Sequence, residues 1–155
     1  MVRWSDGLVG GLIAGVTSTL FFIIVQQQVD HNPVMGAHFV HFGEAVLGSR
    51  APKAGPLTLL AGLLVYFIAA AIFGILYGLV AASFKPMWKA PTSAICGITY
   101  GFVMYFMLED VLVPVLGVES YLPLWEGLVG NVLFHGIVIS EYITIAFRRN
   151  VAAGA

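Results

Sequence analysis

The sequence predicts an all-α membrane protein: a four-transmembrane-helix bundle with a short amphipathic helix on the outer side, between helices 1 and 2. Composition is the first reason. The 155 residues are 59% hydrophobic and only 10% charged, against roughly 25% charged in an average soluble domain. Segmentation is the second. The apolar residues gather into four runs, each near the roughly 20 residues of helix that cross a hydrocarbon core. In lipid the backbone has to satisfy its own hydrogen bonds, so each run is expected to be helical. A barrel would need alternating strands of roughly ten residues.

The first span is expected over about 8–28, the second over about 57–84, the third over about 92–112 and the fourth over about 122–147. Together they make residues 1–155 one membrane domain. The second run carries no charge, and the fourth is interrupted by Glu126, His135 and Glu141. Arg3 gives the first run a weakly basic start. The run is long, however, and "TSTLFFII" leads to Gln26-Gln27-Gln28 without a small-residue cleavage site, so a permanent helix is expected rather than a signal peptide. Cys96 has no second cysteine to pair with and reads as a small packing side chain.

Four spans put both termini on one side. That side holds Arg3, Lys85, Lys89, Arg148 and Arg149, with Asp6 and Glu141. The other side holds only Arg50 and Lys53, against Asp30, Glu44, Glu109, Asp110, Glu119 and Glu126. Basic residues favour the cytoplasmic face, which places the termini and the "FKPMWKAP" turn there. Trp4 and Trp88 then mark the inner boundary, and Tyr121 and Trp125 the outer one.

One phrase is written twice. "AIFGILYGLV" (Ala71 to Val80) returns as "AICGITYGFV" (Ala94 to Val103). Both keep Gly-x-x-x-Gly, as Gly74 with Gly78 and Gly97 with Gly101. The first span has Gly7, Gly11 and Gly15 at the same interval. Small residues let membrane helices approach closely where no hydrophobic force drives them together. The two copies are therefore expected to pack against each other in a tight hairpin of the second and third spans. A second reading, an internal duplication of a helix pair, is also open. "GLVGG" at Gly7 and "GLVGN" at Gly127 give it a weak second echo.

Between the first two spans, Asn32-Pro33 looks like a helix start and Gly48 a stop. A helix over about 33–47 is too short to cross. Met35, Phe39, Phe42 and Val46 share one face. His38, His41 and Glu44 form a stripe on another, which suits an interfacial or re-entrant helix. The stripe could be a wet face, a metal site completed by His31 or nearby acids, or a proton-handling group.

Ionisable residues at membrane depth face the interior or a water-filled cavity. His135 is the most central, and neighbouring Tyr, Thr or backbone groups could satisfy it. Thr17, Ser18, Thr19, Tyr66, Tyr77, Thr99, Tyr100 and Tyr105 are the candidates. Glu141 could pair with Arg148 or Arg149. Glu109 and Asp110 are expected to end the third span, since Pro114 and Gly117 argue against its continuation. With Glu126 they could join the histidine helix in a polar outer mouth attractive to cations. The chain has no P-loop, dinucleotide fingerprint or exposed Ser or Cys nucleophile beside a His, and no basic nucleic-acid patch.

The Gly-rich start "GLVGGLIAGV", the long outer loop, the Gly/Tyr hairpin and a last helix with Glu126, His135, Glu141 and Arg148-Arg149 resemble YagU-type small inner-membrane proteins over about half the chain. The resemblance implies architecture and an inner-membrane location, not a mechanism.

The functional expectation is a non-enzymatic membrane protein. A polar site of His38, His41, Glu44, Glu109, Asp110, Glu126 and His135 would handle or sense protons or a small cation. The alternative is a redox-complex subunit holding haem b, a transition metal or a quinone through His31, His38, His41 and His135. A third reading is a structural subunit, alone as a homo-oligomer or in a larger complex. It would pack through Gly11, Gly15, Gly74, Gly78, Gly97 and Gly101. The lipid bilayer is the one partner common to all three.

Overall fold

A computed structural model describes residues 2–29, 31, 36–51, 55–117 and 122–154. Every described element is a helix. Helix α1 is Trp4–Gln28 and α2 is Ala37–Leu47. Helix α3 is Pro56–Ser83, α4 is Ala90–Val115 and α5 is Leu124–Ala152. All but α2 are long and apolar enough to cross a membrane. Large aliphatic side chains such as Leu20, Ile24, Leu60, Leu64, Ile68 and Ile145 point outward. Ser18, Asn131, His135, Ser140 and Thr144 are enclosed. Apolar surface outside and polar groups inside is the pattern a lipid solvent imposes.

Helix α1 begins a turn earlier than expected. Asp6 Oδ2 accepts a hydrogen bond from the Arg3 backbone N–H at 2.8 Å, which fixes the first turn. The same carboxylate accepts from Asn150 Nδ2 at 3.3 Å and Arg149 Nη2 at 3.5 Å. A buried acid thus joins the start of α1 to the end of α5. Trp88 Nε1 donates to the Ala81 carbonyl at 2.7 Å, and its ring stacks on Phe147 at 4.6 Å. These contacts gather Arg3, the Lys85–Lys89 turn and Arg149 at one end, called here the basic end.

The doubled phrase does not form the expected hairpin interface. Helices α3 and α4 scarcely touch; α3 packs mainly on α1 and α2, and α4 on α5. Each copy has its own crossing. A Cβ on Gly74 would stand 2.8 Å from Gly11 Cα, and one on Gly78 would stand 2.8 Å from Gly7 Cα. In the second copy, a Cβ on Gly101 would meet Val132 Cα and the Asn131 carbonyl oxygen at 2.5 Å. One on Gly97 would meet the Gly136 carbonyl. Backbone packs on backbone in both places. The opposite faces of the two copies line a cleft of about 510 Å³ between α3 and α4. Phe73, Tyr77 and Val80 supply one wall, and Cys96, Tyr100 and Val103 the other. These are the same three positions of each copy.

Helix α4 continues through Pro114, against expectation. Its turns widen to a π-helix over Met107–Leu112 before a last α turn, Val113–Val115. A widened turn already departs from the ordinary bonding pattern, so a proline just beyond it is tolerated. Helix α5 widens likewise over Gly130–Ile137. Thr17 Oγ1 donates to the Phe134 carbonyl at 2.6 Å and Ser18 Oγ to the Gly130 carbonyl at 3.3 Å. The widened segment of α5 is thereby tied to α1. These two hydroxyls, expected near His135, bond to backbone carbonyls just before it instead.

Filling a glycine crossing pushes backbones apart, so Gly11→Val and Gly101→Val are expected to destabilise the protein by roughly 3 kcal/mol or more. Leu60→Ala, on the outer face, is expected to cost under about 1 kcal/mol. Thermal unfolding followed by the monodisperse fraction in detergent measures both. Equal melting of Gly11→Val and wild type would refute the crossing's importance.

Candidate functional site

The polar residues anticipated as one outer site fall into three groups. The first lies on α2. The expected apolar face holds only in part. Phe39 and Phe42 are buried, but Val46 is 56% exposed. Asn32, Pro33 and Met35 lie outside the described residues, as do Asp30, Lys53, Glu119 and Tyr121; within those residues α2 starts after Gly36, at φ 69°. His38 joins the buried face and leaves the stripe it was expected to share with His41 and Glu44. Its ring lies 4.9 Å from Phe22, 5.2 Å from Phe39 and 5.1 Å from Phe42. Its backbone N–H donates to Gln26 Oε1 at 3.4 Å, so the last turn of α1 holds the start of α2. Two backbone approaches bring α2 onto α3: Gly43 against the Thr58 carbonyl, and Gly62 against that of Phe39. Burial pushes the His38 imidazole down to about 3, with His41 nearby adding to the effect. His38 is therefore neutral near pH 7.

His41 is less enclosed. Its Nδ1 lies 3.1 Å from Glu44 Oε2, on the exposed side. His31 is exposed too, with φ 51°. The described residues contain no group of three or more His, Cys, Asp or Glu side chains able to share a metal ion. The H-x-x-H-x-x-E spacing does not become a coordination sphere because His38 is buried among the rings of Phe22, Phe39 and Phe42, while His41 and Glu44 lie nearer the surface.

The acids of α4 and α5 form the second group. Glu109 is 7% exposed and Glu126 fully buried. Asp110, its neighbour in sequence, is exposed. Glu126 sits in the first turn of α5, where the free N–H groups and the helix dipole favour negative charge.

The third group surrounds His135. This residue is fully buried, and neither ring nitrogen has a hydrogen-bond partner among the described residues. The Tyr100 ring lies 6.1 Å away, and Tyr77 lies 4.7 Å beyond Tyr100. Tyr66 faces Ser18. The hydroxyls of Thr19, Tyr66, Tyr77 and Tyr100 and the Oδ1 of Asn131 share the condition of His135: enclosed, with no described partner. Asn131 Nδ2 is satisfied by the Gly127 carbonyl at 2.9 Å. Asn131 was not singled out from the sequence. Its place one turn before His135 was the signal available.

Glu141 does not pair with Arg148 or Arg149 as expected. Arg149 reaches Asp6, and Glu141 stands exposed on the outer face of α5. Asp6 is nearly enclosed at 6% exposure and already receives the Asn150 amide, so the cation is drawn to it.

No family model, curated protein or solved structure matches the chain. The YagU-type resemblance thus rests on the quoted residues alone, and function has to be argued from the geometry.

A neutral imidazole in an apolar nest links stability to pH. Between about pH 6.5 and 3 the unfolded chain binds a proton at His38 that the folded chain refuses, so stability falls as pH drops through that window. The loss by pH 4 is on the order of a few kcal/mol. His38→Phe is expected to flatten this part of the profile. Melting temperatures from pH 7 to 4 for both proteins test it; parallel profiles would rule it out.

Proposed function

We propose that this is a non-enzymatic, multi-pass membrane protein whose interior accepts and passes protons at His135. The carrying observation is the enclosure of His135 without a partner for either nitrogen, beside tyrosine hydroxyls in the same state. Leaving such atoms unsatisfied costs about 1–3 kcal/mol each. Structures rarely sustain that several times over in one core. Ordered water is the usual remedy. Water, phenol and imidazole together make a proton path, because imidazole can take a proton at one nitrogen and release one from the other. Tyr100 and Tyr77 lead from His135 toward the basic end. Asn131 and Glu126 lead the other way along α5. A widened helical turn that re-aims side chains is a frequent feature of functional sites, and His135 lies within one. By the distribution of basic residues, the basic end is cytoplasmic and the membrane a cell inner membrane.

This moves the centre of the site away from the expected outer mouth. His38 is buried as a neutral aromatic partner, and His41 with Glu44 forms an exposed pair. A haem- or metal-holding role gains no comparable support, since His38 and His135 are enclosed on different elements and neither lines the cleft between α3 and α4.

Proteoliposomes carrying a potassium gradient, valinomycin and an internal pH dye test the reading. Wild type is expected to pass protons above the empty-vesicle rate. His135→Leu should abolish the excess, and Tyr100→Phe should cut it several-fold. A wild-type flux equal to that of empty vesicles, or one unchanged in His135→Leu, would dismiss the proposal.

One observation favours the subunit reading as well. Glu141 is a carboxylate on the outer face of a spanning helix, with no ion pair among the described residues, and such groups are rarely left to lipid. A partner helix covering it would give an assembly larger than a monomer in mild detergent. Glu141→Leu would shift that assembly to lower mass. A monomeric wild type, by multi-angle light scattering, would count against this.

A further inference from the structure

The cleft between α3 and α4 and the hollow at the basic end together suggest a ligand. The cleft opens on the outer surface, where Leu76, Val80 and Val103 are about half exposed. It runs from Phe73 on α3 to Phe84 just past its end, and from Cys96 to Met107 on α4, about 16 Å of helix axis at 1.5 Å per residue. At about 510 Å³ over that length, the cleft is wide enough for a hydrocarbon chain. Its walls are apolar, with the hydroxyls of Tyr77 and Tyr100 enclosed behind their rings. At its basic end lies a second hollow of about 500 Å³, lined by Lys85, Trp88, Lys89 and Thr92. Neither lysine makes an ion pair with a described acid. Thr92 precedes Cys96 and Thr99 on one face of α4, so hollow and cleft follow one another along that helix.

We propose that these two cavities bind one anionic phospholipid, with an acyl chain in the cleft and the phosphate at Lys85 and Lys89. The charge argument selects the lipid. Two exposed ammonium groups beside an indole at a membrane boundary attract phosphate. An apolar cleft leading away from them into the membrane takes the chain. A second copy of this protein would present the same lysines and repel. The inference is independent of proton passage through His135.

Purified protein in neutral detergent, titrated with dioleoyl phosphatidylglycerol, dioleoyl phosphatidylcholine or inorganic phosphate, provides the test. Bound lipid is read by native mass spectrometry and by melting temperature. One phosphatidylglycerol is expected to bind about tenfold or more tightly than phosphatidylcholine, and to raise the melting temperature. Lys85→Gln with Lys89→Gln should remove that preference. Val103→Trp, which fills the cleft from its open side, should block binding. Thr99→Phe serves if that variant fails to fold. Equal binding of both lipids would overturn the proposal, as would a shift produced by phosphate alone. Unchanged binding in the lysine pair or in a folded cleft-filling variant would also overturn it. A concentration-dependent dimer lost in Val103→Trp would assign the cleft to a second copy instead.

Discussion

Two glycine crossings decide where everything else in this protein can be. Lipid supplies no hydrophobic force between helices, so contact has to come from close packing and from polar groups that find each other. At Gly7 and Gly11 against Gly74 and Gly78, and at Gly97 and Gly101 against Asn131, Val132 and Gly136, the nearest obstacle to an added side chain is backbone. Backbone cannot swing aside as a side chain can. These contacts therefore fix the separation of α1 from α3 and of α4 from α5, and the hydroxyls of Thr17 and Ser18 then join the pairs through the widened turn of α5.

Close approach of the backbones leaves little room for large side chains between helices. The polar residues of the spans are drawn into what remains. Ser93 Oγ bonds the Ser140 carbonyl at 2.9 Å, and that contact closes one side of the interior. His135, Asn131 and the three tyrosines occupy the part that backbone bonding does not close. A dense, well-paired shell around a poorly paired centre concentrates the energetic cost in one place. That is where a site able to take up a proton or bind water gains most.

Four spans and the basic turn between the second and third were legible because length and hydropathy act over whole segments. The face of α2 was not. The amphipathic reading assumes one wet side and one apolar side. This helix is instead packed on α3 and held by Gln26 of α1, so His38 is buried and Val46 is left out. Nor could the sequence foretell the widened turns at Met107–Leu112 and Gly130–Ile137. The one in α5 accepts the bonds from Thr17 and Ser18, a tertiary contact that local propensity does not reveal. Asp6 was only counted among the charges of one side, because its partners Arg149 and Asn150 stand at the far end of α5. For His135 the sequence position alone foretold burial inside the helices.

The repeated phrase combines these scales. Its glycines were correctly read as packing residues, but a small-xxx-small motif specifies closeness and not a partner. Sequence proximity suggested that the copies pack together. Yet two helices joined by a short turn need meet only at that turn. Once α1 claims the glycines of α3 and α5 those of α4, the faces carrying Phe73, Tyr77 and Val80 and their counterparts Cys96, Tyr100 and Val103 are left across from each other, with Tyr77 meeting Tyr100 midway. Bulky residues at equivalent places on two antiparallel helices hold those helices apart, which keeps the cleft open. The same ten-residue pattern thus produces contact on one face and space on the other. Residue size at alternate turns decides which.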